Sequence, residues 1–153
     1  MKIERGTKLL IDTNVLLEAT DEGRRLHEQA LVVFQFAQKA GLDLFLGTQV
    51  VREYLVVATR PVANNGLGMN MASALENIGR FRRRSSMIAE TLRASDLFIE
   101  WAGQWGICGK KLHDLQILAT ASSAGMNALL TANQEDFPTT SPIDIIPLAD
   151  VNW

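Results

Sequence analysis

The chain has 153 residues, of which 47% are hydrophobic, and this is enough apolar material for one ordinary domain with a buried core. The 15 Lys and Arg residues and 17 Asp and Glu residues give a formal net charge of -2, which excludes the overall positive field of a polycationic nucleic-acid binder. A single cysteine excludes an internal disulfide, and no signal peptide or membrane-spanning run is recognisable, so we expect one cytoplasmic domain over residues 1–153.

The first part of the chain alternates between short apolar runs and helical periodicity. Residues 8–11 (KLLI) and 43–47 (DLFLG) have the length and apolar character of buried strands. Between them, residues 23–41 carry apolar side chains at helical spacing and end at a glycine, which is typical of a helix C-terminus. A further helical pattern follows Thr48, which we expect to cap it, and stops at Pro61.

The segment at about 62–85 interrupts this alternation. It contains the Gly- and Asn-rich stretch VANNGLGMN followed by a weak helical pattern, and we interpret it as a mobile helical and loop insertion. The pattern then predicts a strand at 85–90, helices at 91–105 and 110–125, and strands at 127–131 and 143–148. Strands joined by helices require crossover connections, so the sequence predicts an α/β fold with a mostly parallel sheet covered on both faces.

Acidic and amide side chains occur where this pattern places the ends of elements. Asp12 follows the first strand, Glu53 lies about one turn into the helix after the second strand, and Asp114 lies in the first turn of the last long helix. Asn133 and Asp136 follow the strand ALLT. Sites in parallel sheets lie at the carboxyl ends of the strands, near the point where strand order reverses, so we expect these side chains to meet there.

Each of these residues also has a purely structural explanation. Asp12 could cap a helix that follows it, and Asp114 could complement the N-terminus of its own helix. Asn133 and Asp136 could be turn residues that bond the local backbone. Glu53 is harder to explain in this way, because apolar residues flank it on both sides. Their joint placement at one edge of the sheet favours a functional site.

Several carboxylates at one place repel each other unless a cation neutralises them. The ligand set is oxygen-rich, and the chain has no Cys/His cluster of the kind that binds zinc. Mg²⁺ typically takes one or two carboxylates, keeps several waters and binds substrate phosphate. It also activates water and offsets the charge that develops on a phosphodiester. The residues therefore indicate metal-assisted phosphoryl chemistry.

The sequence also resembles the PIN-domain ribonucleases, in particular the small bacterial VapC-like toxins of VapBC toxin–antitoxin pairs. The resemblance covers nearly the whole chain and rests on LLIDTNVLLE, TQVVREYLVVATRP, GKKLHDLQILATA and ALLTANQEDF, in this order and spacing. It implies a three-layer α/β/α sandwich around a mostly parallel sheet. It also implies an Mg²⁺- or Mn²⁺-dependent endoribonuclease that acts on RNA, is neutralised by a cognate antitoxin and commonly forms a homodimer.

By position, Asp12, Glu53 and Asp114 match the catalytic, metal-binding acidic triad of this family. Asn133 stands where many members have a fourth acid, and Asp136 follows closely. Asn133 can offer a carbonyl oxygen to a metal or its waters, but it removes one negative charge. Either Asp136 compensates for this loss, or three carboxylates hold the metal.

Two polar neighbours, Asn14 and Thr131, are expected to hydrogen bond to the site residues and orient them. Asn14 also bears on a second hypothesis, an aspartyl-phosphate phosphatase or transferase with Asp12 as nucleophile. Such enzymes generally have a second Asp two residues on, where this chain has Asn14, so covalent chemistry is less favoured. A third hypothesis, a PIN-like module that has lost activity and binds RNA or protein, stays open because of Asn133.

RNA binding requires a local basic surface, because the net charge of the chain is slightly negative. The arginines of RFRRRS are the densest basic run, although a solvated helix end explains them equally well. The candidates for a rim that holds phosphates are Arg60, Arg82, Arg83, Arg84, Lys110 and Lys111.

Overall fold

The computed structural model describes residues 3–152, and within this range it contains a five-stranded sheet and six α-helices. The strands are β1 (Lys8–Ile11), β2 (Asp43–Gly47), β3 (Ser86–Ile88), β4 (Ala128–Thr131) and β5 (Asp144–Pro147). The helices are α1 (Thr13–Thr20), α2 (His27–Ala40), α3 (Thr48–Thr59), α4 (Met71–Arg82), α5 (Leu92–Trp105) and α6 (Lys111–Ser123). Short 3₁₀ turns lie at Val62–Asn64, Gln134–Asp136 and Leu148–Asp150.

All the strand pairs are parallel, and the strand order is β3-β2-β1-β4-β5. Strand β1 is central, with Leu9 opposite Leu44 of β2 on one side and Ala128 of β4 on the other. The chain builds the sheet outward from β1 to β3 and then returns to place β4 beside β1. Strand order therefore reverses between β1 and β4, where the backbone N–H of Asp12 donates to the carbonyl of Leu130 at 2.9 Å.

The helices form two groups. Helix α1 packs on α2 and α3, and α3 packs on α4, whereas α5 packs on α6. Crossovers between parallel strands are right-handed, so the helices that lead from β1 to β3 and the helices that lead back to β4 cover opposite faces of the sheet. This confirms the predicted α/β fold with a helical layer on each face of a parallel sheet.

The sheet supplies the centre of the core. Leu9, Leu10 and Ile11 of β1 and Leu129 and Leu130 of β4 are fully buried. Strands covered on both faces read as continuous apolar runs, and burying each such side chain contributes about 1.5–3 kcal/mol. None of the helices between residues 3 and 152 has both the length and the apolar character needed to cross a membrane.

The segment at 62–85 is part of the helical layer. Helix α4 buries Ala74 and Ile78 against the core. The ring of Phe81 lies 4.9 Å from that of Phe34 and 5.8 Å from that of Tyr54, centroid to centroid. These contacts join α4 to α2 and α3. The mobility expected for this segment stays a prediction.

The ends of the helices agree with the sequence at some positions and differ at others. Helix α2 ends at Gly41 in the left-handed conformation, with φ of 77°, as the glycine predicts. Helix α1 begins at Thr13 with Asp12 as its N-cap. The prediction that Thr48 caps α3 is wrong. Thr48 is the first helical residue, Gly47 occupies the cap position, and no side chain makes the capping hydrogen bond.

Candidate active site

Asp12 links the end of β1 to β4 at the carboxyl edge of the sheet. The residue is 3% exposed. Its Oδ1 accepts a hydrogen bond from the backbone N–H of Thr13 at 2.7 Å, and its Oδ2 accepts one from Thr131 Oγ1 at 2.7 Å. Asp12 is thus a helix cap, as its structural explanation predicted, and its other oxygen is held by a side chain from β4.

Asn14 and Thr131 fix the loop that follows β4. Asn14 Nδ2 donates to Thr131 Oγ1 at 3.1 Å, and Asn14 Oδ1 accepts from the backbone N–H of Ala132 at 2.9 Å. The backbone N–H of Asn133 also donates to Thr131 Oγ1, at 3.1 Å. The Thr131 hydroxyl therefore accepts two hydrogen bonds while it donates its own proton to Asp12. Asn14 is thus linked to Asp12 through the Thr131 hydroxyl.

Glu53 is held from two directions. Its Oε2 accepts a hydrogen bond from Thr13 Oγ1 at 2.8 Å, and its Oε1 accepts one from Gln49 Nε2 at 2.7 Å. Gln49 Nε2 also donates to the backbone carbonyl of His113, at 2.9 Å. The side chain of His113 is 75% exposed, with Nδ1 3.8 Å from Glu53 Oε1. The carboxylate on α3 is thereby joined to the residue after Asp12 and to the residue before Asp114.

Neighbouring acidic side chains act on the charge of Asp114. The pKa of Asp114 is raised from 3.8 to about 7, mainly by burial and then by the charges of Asp12, Asp136 and Glu53, while Lys111 lowers it. A carboxyl group with this pKa is partly protonated at neutral pH. Asp114 thus lies among three acidic side chains, with one lysine as the opposing charge.

Burial is also the main cause for Asp12, whose pKa rises from 3.8 to about 6. The hydrogen bonds from Thr131 and Thr13 lower this pKa, and the charges of Glu53 and Asp136 raise it. Two hydrogen bonds to a carboxylate ordinarily favour its ionised form. They do not offset burial here, so the environment disfavours the charge of Asp12 in the absence of a cation.

The region after β4 distinguishes Asn133 from Asp136. Asp136 is partly buried in the 3₁₀ turn Gln134–Asp136, and its charge raises the pKa values of both Asp12 and Asp114. Asn133 is exposed, and its side chain makes no hydrogen bond to any residue in the part of the chain that the structure describes. These observations favour Asp136 over Asn133 as the fourth acidic group of the cluster.

The predicted basic residues do not all lie near these carboxylates. Lys111 is close enough to Asp114 to lower its pKa, and Lys110 is the exposed residue before it. Arg60 ends α3, seven residues after Glu53, which is about 10 Å along the helix axis. Its Nη2 donates to a backbone carbonyl of the following loop at 3.1 Å.

Arg82, Arg83 and Arg84 lie at the opposite edge of the sheet. They immediately precede β3, and Arg83 and Arg84 line a cavity of about 290 Å³ together with Asp43, the first residue of β2. The same two arginines line a cavity of about 570 Å³ between α1, α2 and α4, which none of the carboxylates of the cluster lines. Strands of four or five residues separate the two edges by about 13–17 Å. The structure therefore does not join the arginine run and the lysines into one rim.

The carboxylate cluster fits a hydrated cation better than a metal enclosed by protein ligands. Between residues 3 and 152, no three His, Cys, Asp or Glu side chains converge closely enough to hold a metal ion by themselves. The clustered groups are carboxylates, and Mg²⁺ needs only one or two of these beside its waters. Gln49 Oε1, in the amide group that contacts Glu53, is buried without a hydrogen-bond partner among the described residues. A buried acceptor of this kind is compatible with a hydrated ion nearby.

Sequence reasoning missed two residues of this network, Thr13 and Gln49. Both use side-chain hydrogen bonds to hold Glu53. A signal for Gln49 exists, because it precedes Glu53 by four residues and the two side chains share one face of α3. Thr13 offers no comparable signal, since its contact with Glu53 spans 40 residues of chain.

Solved structures of toxin–antitoxin proteins have a similar fold. VapBC2 from Rickettsia felis, solved with a DNA fragment from its promoter, matches with a TM-score of 0.69 and 15% identity over 92% of this chain and 98% of that chain. VapBC-1 from Haemophilus influenzae matches with a TM-score of 0.68 and 17% identity, over 94% of this chain and 100% of that chain. The Mycobacterium tuberculosis toxin VapC20, which cleaves the sarcin-ricin loop, matches with a TM-score of 0.60 and 12% identity, over 79% of this chain and 86% of that chain. No family model and no curated protein matches the sequence. The predicted PIN-like fold is confirmed.

Proposed function

We propose that this protein is a divalent-metal-dependent endoribonuclease, a toxin whose activity a cognate antitoxin neutralises. The main support is that the pKa values of both Asp12 and Asp114 are raised, by burial and by neighbouring carboxylates, at the edge where strand order reverses. Buried carboxylates without a cationic partner destabilise a fold, and clustered groups with strongly shifted pKa values are common at functional sites. The likeness of the fold to VapC20, a toxin that cleaves the sarcin-ricin loop, supports the choice of reaction.

Asp12 and Asp114 would hold Mg²⁺ or Mn²⁺, while Asp136 and Glu53 add negative charge around its waters. When bound, the ion supplies an activated water and offsets the charge that develops on the phosphodiester. The chain's own residues orient these groups. Thr131 holds one oxygen of Asp12, and the neighbouring Glu53 is held through Thr13 and Gln49.

Lys110 and Lys111 are the basic residues we propose to contact RNA next to the scissile phosphate. Lys111 already acts on Asp114 electrostatically, so an RNA phosphate near this carboxylate would also be close to a lysine. Arg60 and the run Arg82–Arg84 would contact only flanking RNA, because they lie farther along α3 and at the other edge of the sheet. We further propose a homodimer that acts in the cytoplasm.

The nuclease proposal is tested by cleavage of a labelled RNA by the purified protein with Mg²⁺, with Mn²⁺ and with EDTA. Asp12→Asn, Glu53→Gln and Asp114→Asn should each lower the rate at least 100-fold, since a metal-activated nucleophile is lost. Asp43→Asn is the matched control, because Asp43 is an exposed aspartate at the other edge of the sheet. Metal-independent cleavage, or cleavage that all three variants retain, would refute the proposal.

The antitoxin is tested separately. Expression of the wild-type chain should arrest growth, and we expect the neighbouring reading frame to encode a small protein whose co-expression restores growth. Expression of Asp12→Asn should not arrest growth. Arrest that neither the active-site substitution nor the neighbouring protein relieves would contradict the toxin proposal while leaving the nuclease proposal intact.

A module without catalytic activity is the second candidate, and Asn133 is the feature that favours it. If the protein is such a module, it should bind RNA or protein tightly and show no metal-dependent cleavage. Covalent phosphatase chemistry has less support, because the side chain of Asn14 is occupied by Thr131 and Ala132. A neutral amide at this position also cannot act as a general acid or base.

A further inference from the structure

We propose that Gln49 is a positioning residue that holds Glu53 in a fixed place relative to the start of α6, and that metal binding and RNA cleavage depend on this. The inference rests on the proposed function, because it concerns the same carboxylate cluster. Gln49 itself would contact neither the metal nor the RNA. Its effect would pass through the carboxylate on α3 and the backbone that carries Asp114.

The contacts of Gln49 bridge two helices. It is the second residue of α3, and it is 4% exposed. Its single NH₂ group donates one hydrogen bond to Glu53 Oε1 at 2.7 Å and another to the carbonyl of His113 at 2.9 Å. Both protons of the amide are therefore used. One side chain links a carboxylate on α3 to the backbone of α6 at the residue before Asp114.

The same amide is a poor choice for packing alone. Its Oε1 is buried and has no hydrogen-bond partner within residues 3–152. Leaving a buried acceptor unpaired costs about 1–3 kcal/mol, whereas an apolar side chain of the same length would avoid this cost. Local choices that reduce stability are expected at functional sites. Gln49 thus makes two hydrogen bonds in the carboxylate cluster at the expense of one unsatisfied atom in the core.

Loss of Gln49 would release one side of Glu53. Thr13 Oγ1 would still hold Oε2, but Oε1 would have no donor at 2.7 Å. The carboxylate could then rotate about its own bonds, and α6 would lose its side-chain link to α3 at this point. Glu53 would act on the waters of the ion, and removing a residue that orients the groups around a metal typically costs 10–100-fold in metal affinity or activity.

The test compares Gln49→Met with Asn77→Leu in the full-length protein. Methionine has nearly the length of glutamine and cannot donate a hydrogen bond. Asn77 is the matched control, because its Nδ2 donates to the hydroxyl of Tyr54 at 3.1 Å and so also links α3 to another helix, away from the carboxylates. Mn²⁺ binding is measured by calorimetry, RNA cleavage by kcat and KM, and stability by urea unfolding.

We expect Gln49→Met to bind Mn²⁺ at least tenfold more weakly and to lower kcat at least tenfold, with KM within about threefold of wild type. Asn77→Leu should change Mn²⁺ binding and kcat less than twofold, even where its loss of stability is equal or larger. Gln49→Asn, whose shorter amide cannot bridge both partners, should show the same losses. Gln49→Asn is therefore the variant to measure if Gln49→Met does not fold.

Two results would overturn this proposal. The first is Mn²⁺ binding and kcat within twofold of wild type in folded Gln49→Met or Gln49→Asn. The second is an equal loss of both in Asn77→Leu, which would show that the effect follows general stability. Failure of the proposed function gives a different result, in which Asp12→Asn binds Mn²⁺ as tightly as wild type. That result would overturn both proposals together.

Discussion

Without divalent metal, Asp12→Asn should make the protein more stable at pH 8, not less. Asp12 has its pKa raised from 3.8 to about 6 by burial. A tenfold change in proton affinity corresponds to about 1.4 kcal/mol, so the ionised carboxylate disfavours the folded state by about 3 kcal/mol. The asparagine avoids this cost but weakens the contact with Thr131 Oγ1, which is a loss of about 1 kcal/mol. The expected net gain is about 2 kcal/mol.

The gain in stability from Asp12→Asn depends on pH. Because the pKa of Asp12 is higher in the folded state, the unfolded chain loses this proton first as the pH rises. The stability of the wild type should therefore fall between about pH 4 and pH 6 and stay low above that range. The gain from Asp12→Asn should be absent near pH 4 and complete at pH 8. Asp114 titrates in both proteins, but loss of the Asp12 charge lowers its pKa, so the measured gain includes this contribution, which has the same sign.

Urea unfolding followed by circular dichroism, in EDTA at pH 4.5 and pH 8, measures this difference. Addition of Mn²⁺ should stabilise the wild type and leave Asp12→Asn almost unchanged, since only the former binds the ion. A simple helix cap predicts the opposite result in EDTA, because a negative charge at a helix N-terminus is stabilising by about 0.3–1 kcal/mol. An Asp12→Asn protein that is less stable than wild type at pH 8 would refute the reasoning.

Three further predictions concern the rest of the fold and the basic residues. Tyr54→Phe removes a buried hydroxyl that bridges α1 and α4, and it should lower the free energy of unfolding by about 1–2 kcal/mol in a urea titration. Gly41→Ala places a Cβ at φ of 77°, and it should cost about 1–2 kcal/mol in the same assay, whereas no loss would contradict the left-handed end of α2. Lys111→Met should raise the pKa of Asp114 in an NMR titration of metal-free protein, and it should also raise KM for RNA severalfold. Arg83→Ala should change KM for RNA less than twofold.

The central strands were predictable because of where they lie. Strands β1 and β2 occupy the residues that the runs KLLI and DLFLG predict. Each pairs with a strand on both sides, and a strand in this position reads as an unbroken apolar run. Strand β3 is shorter than the predicted 85–90, because it lies at the edge of the sheet and its length depends on pairing with β2. Edge strands carry a weaker pattern, so their ends cannot be read from the sequence alone.

The candidate site was predictable only down to the elements that carry it. Asp12, Glu53 and Asp114 follow from the positions of strands and helices, since parallel strands bring their carboxyl ends to one edge. The contact of Gln49 with the backbone of His113 and the burial of Asp136 rather than Asn133 do not follow, because they depend on side-chain rotamers and on the 3₁₀ turn after β4. Hydrogen bonds between helices have no signature in a single sequence.

The arginine run shows how strand direction separates residues that charge alone would group. Residues 82–84 immediately precede β3, so they lie at the amino edge of a parallel sheet, whereas Lys111 begins a helix near the carboxylate cluster. The predicted strand at 85–90 already implied this edge. Grouping the basic residues by charge ignored it.

The two explanations of Asp12 are not alternatives. Each carboxylate oxygen has two lone pairs, and the Thr13 N–H and the Thr131 hydroxyl use one each at 2.7 Å. Capping therefore orients the carboxylate and leaves acceptor capacity on both oxygens. A cap with two short hydrogen bonds ordinarily has a lowered pKa, but the pKa of Asp12 is raised to about 6 by burial and by neighbouring acids. A divalent cation would reverse this balance, because it favours the ionised forms of Asp12 and Asp114 together. The same hydrogen bonds that start α1 would then hold a ligand in place for the ion.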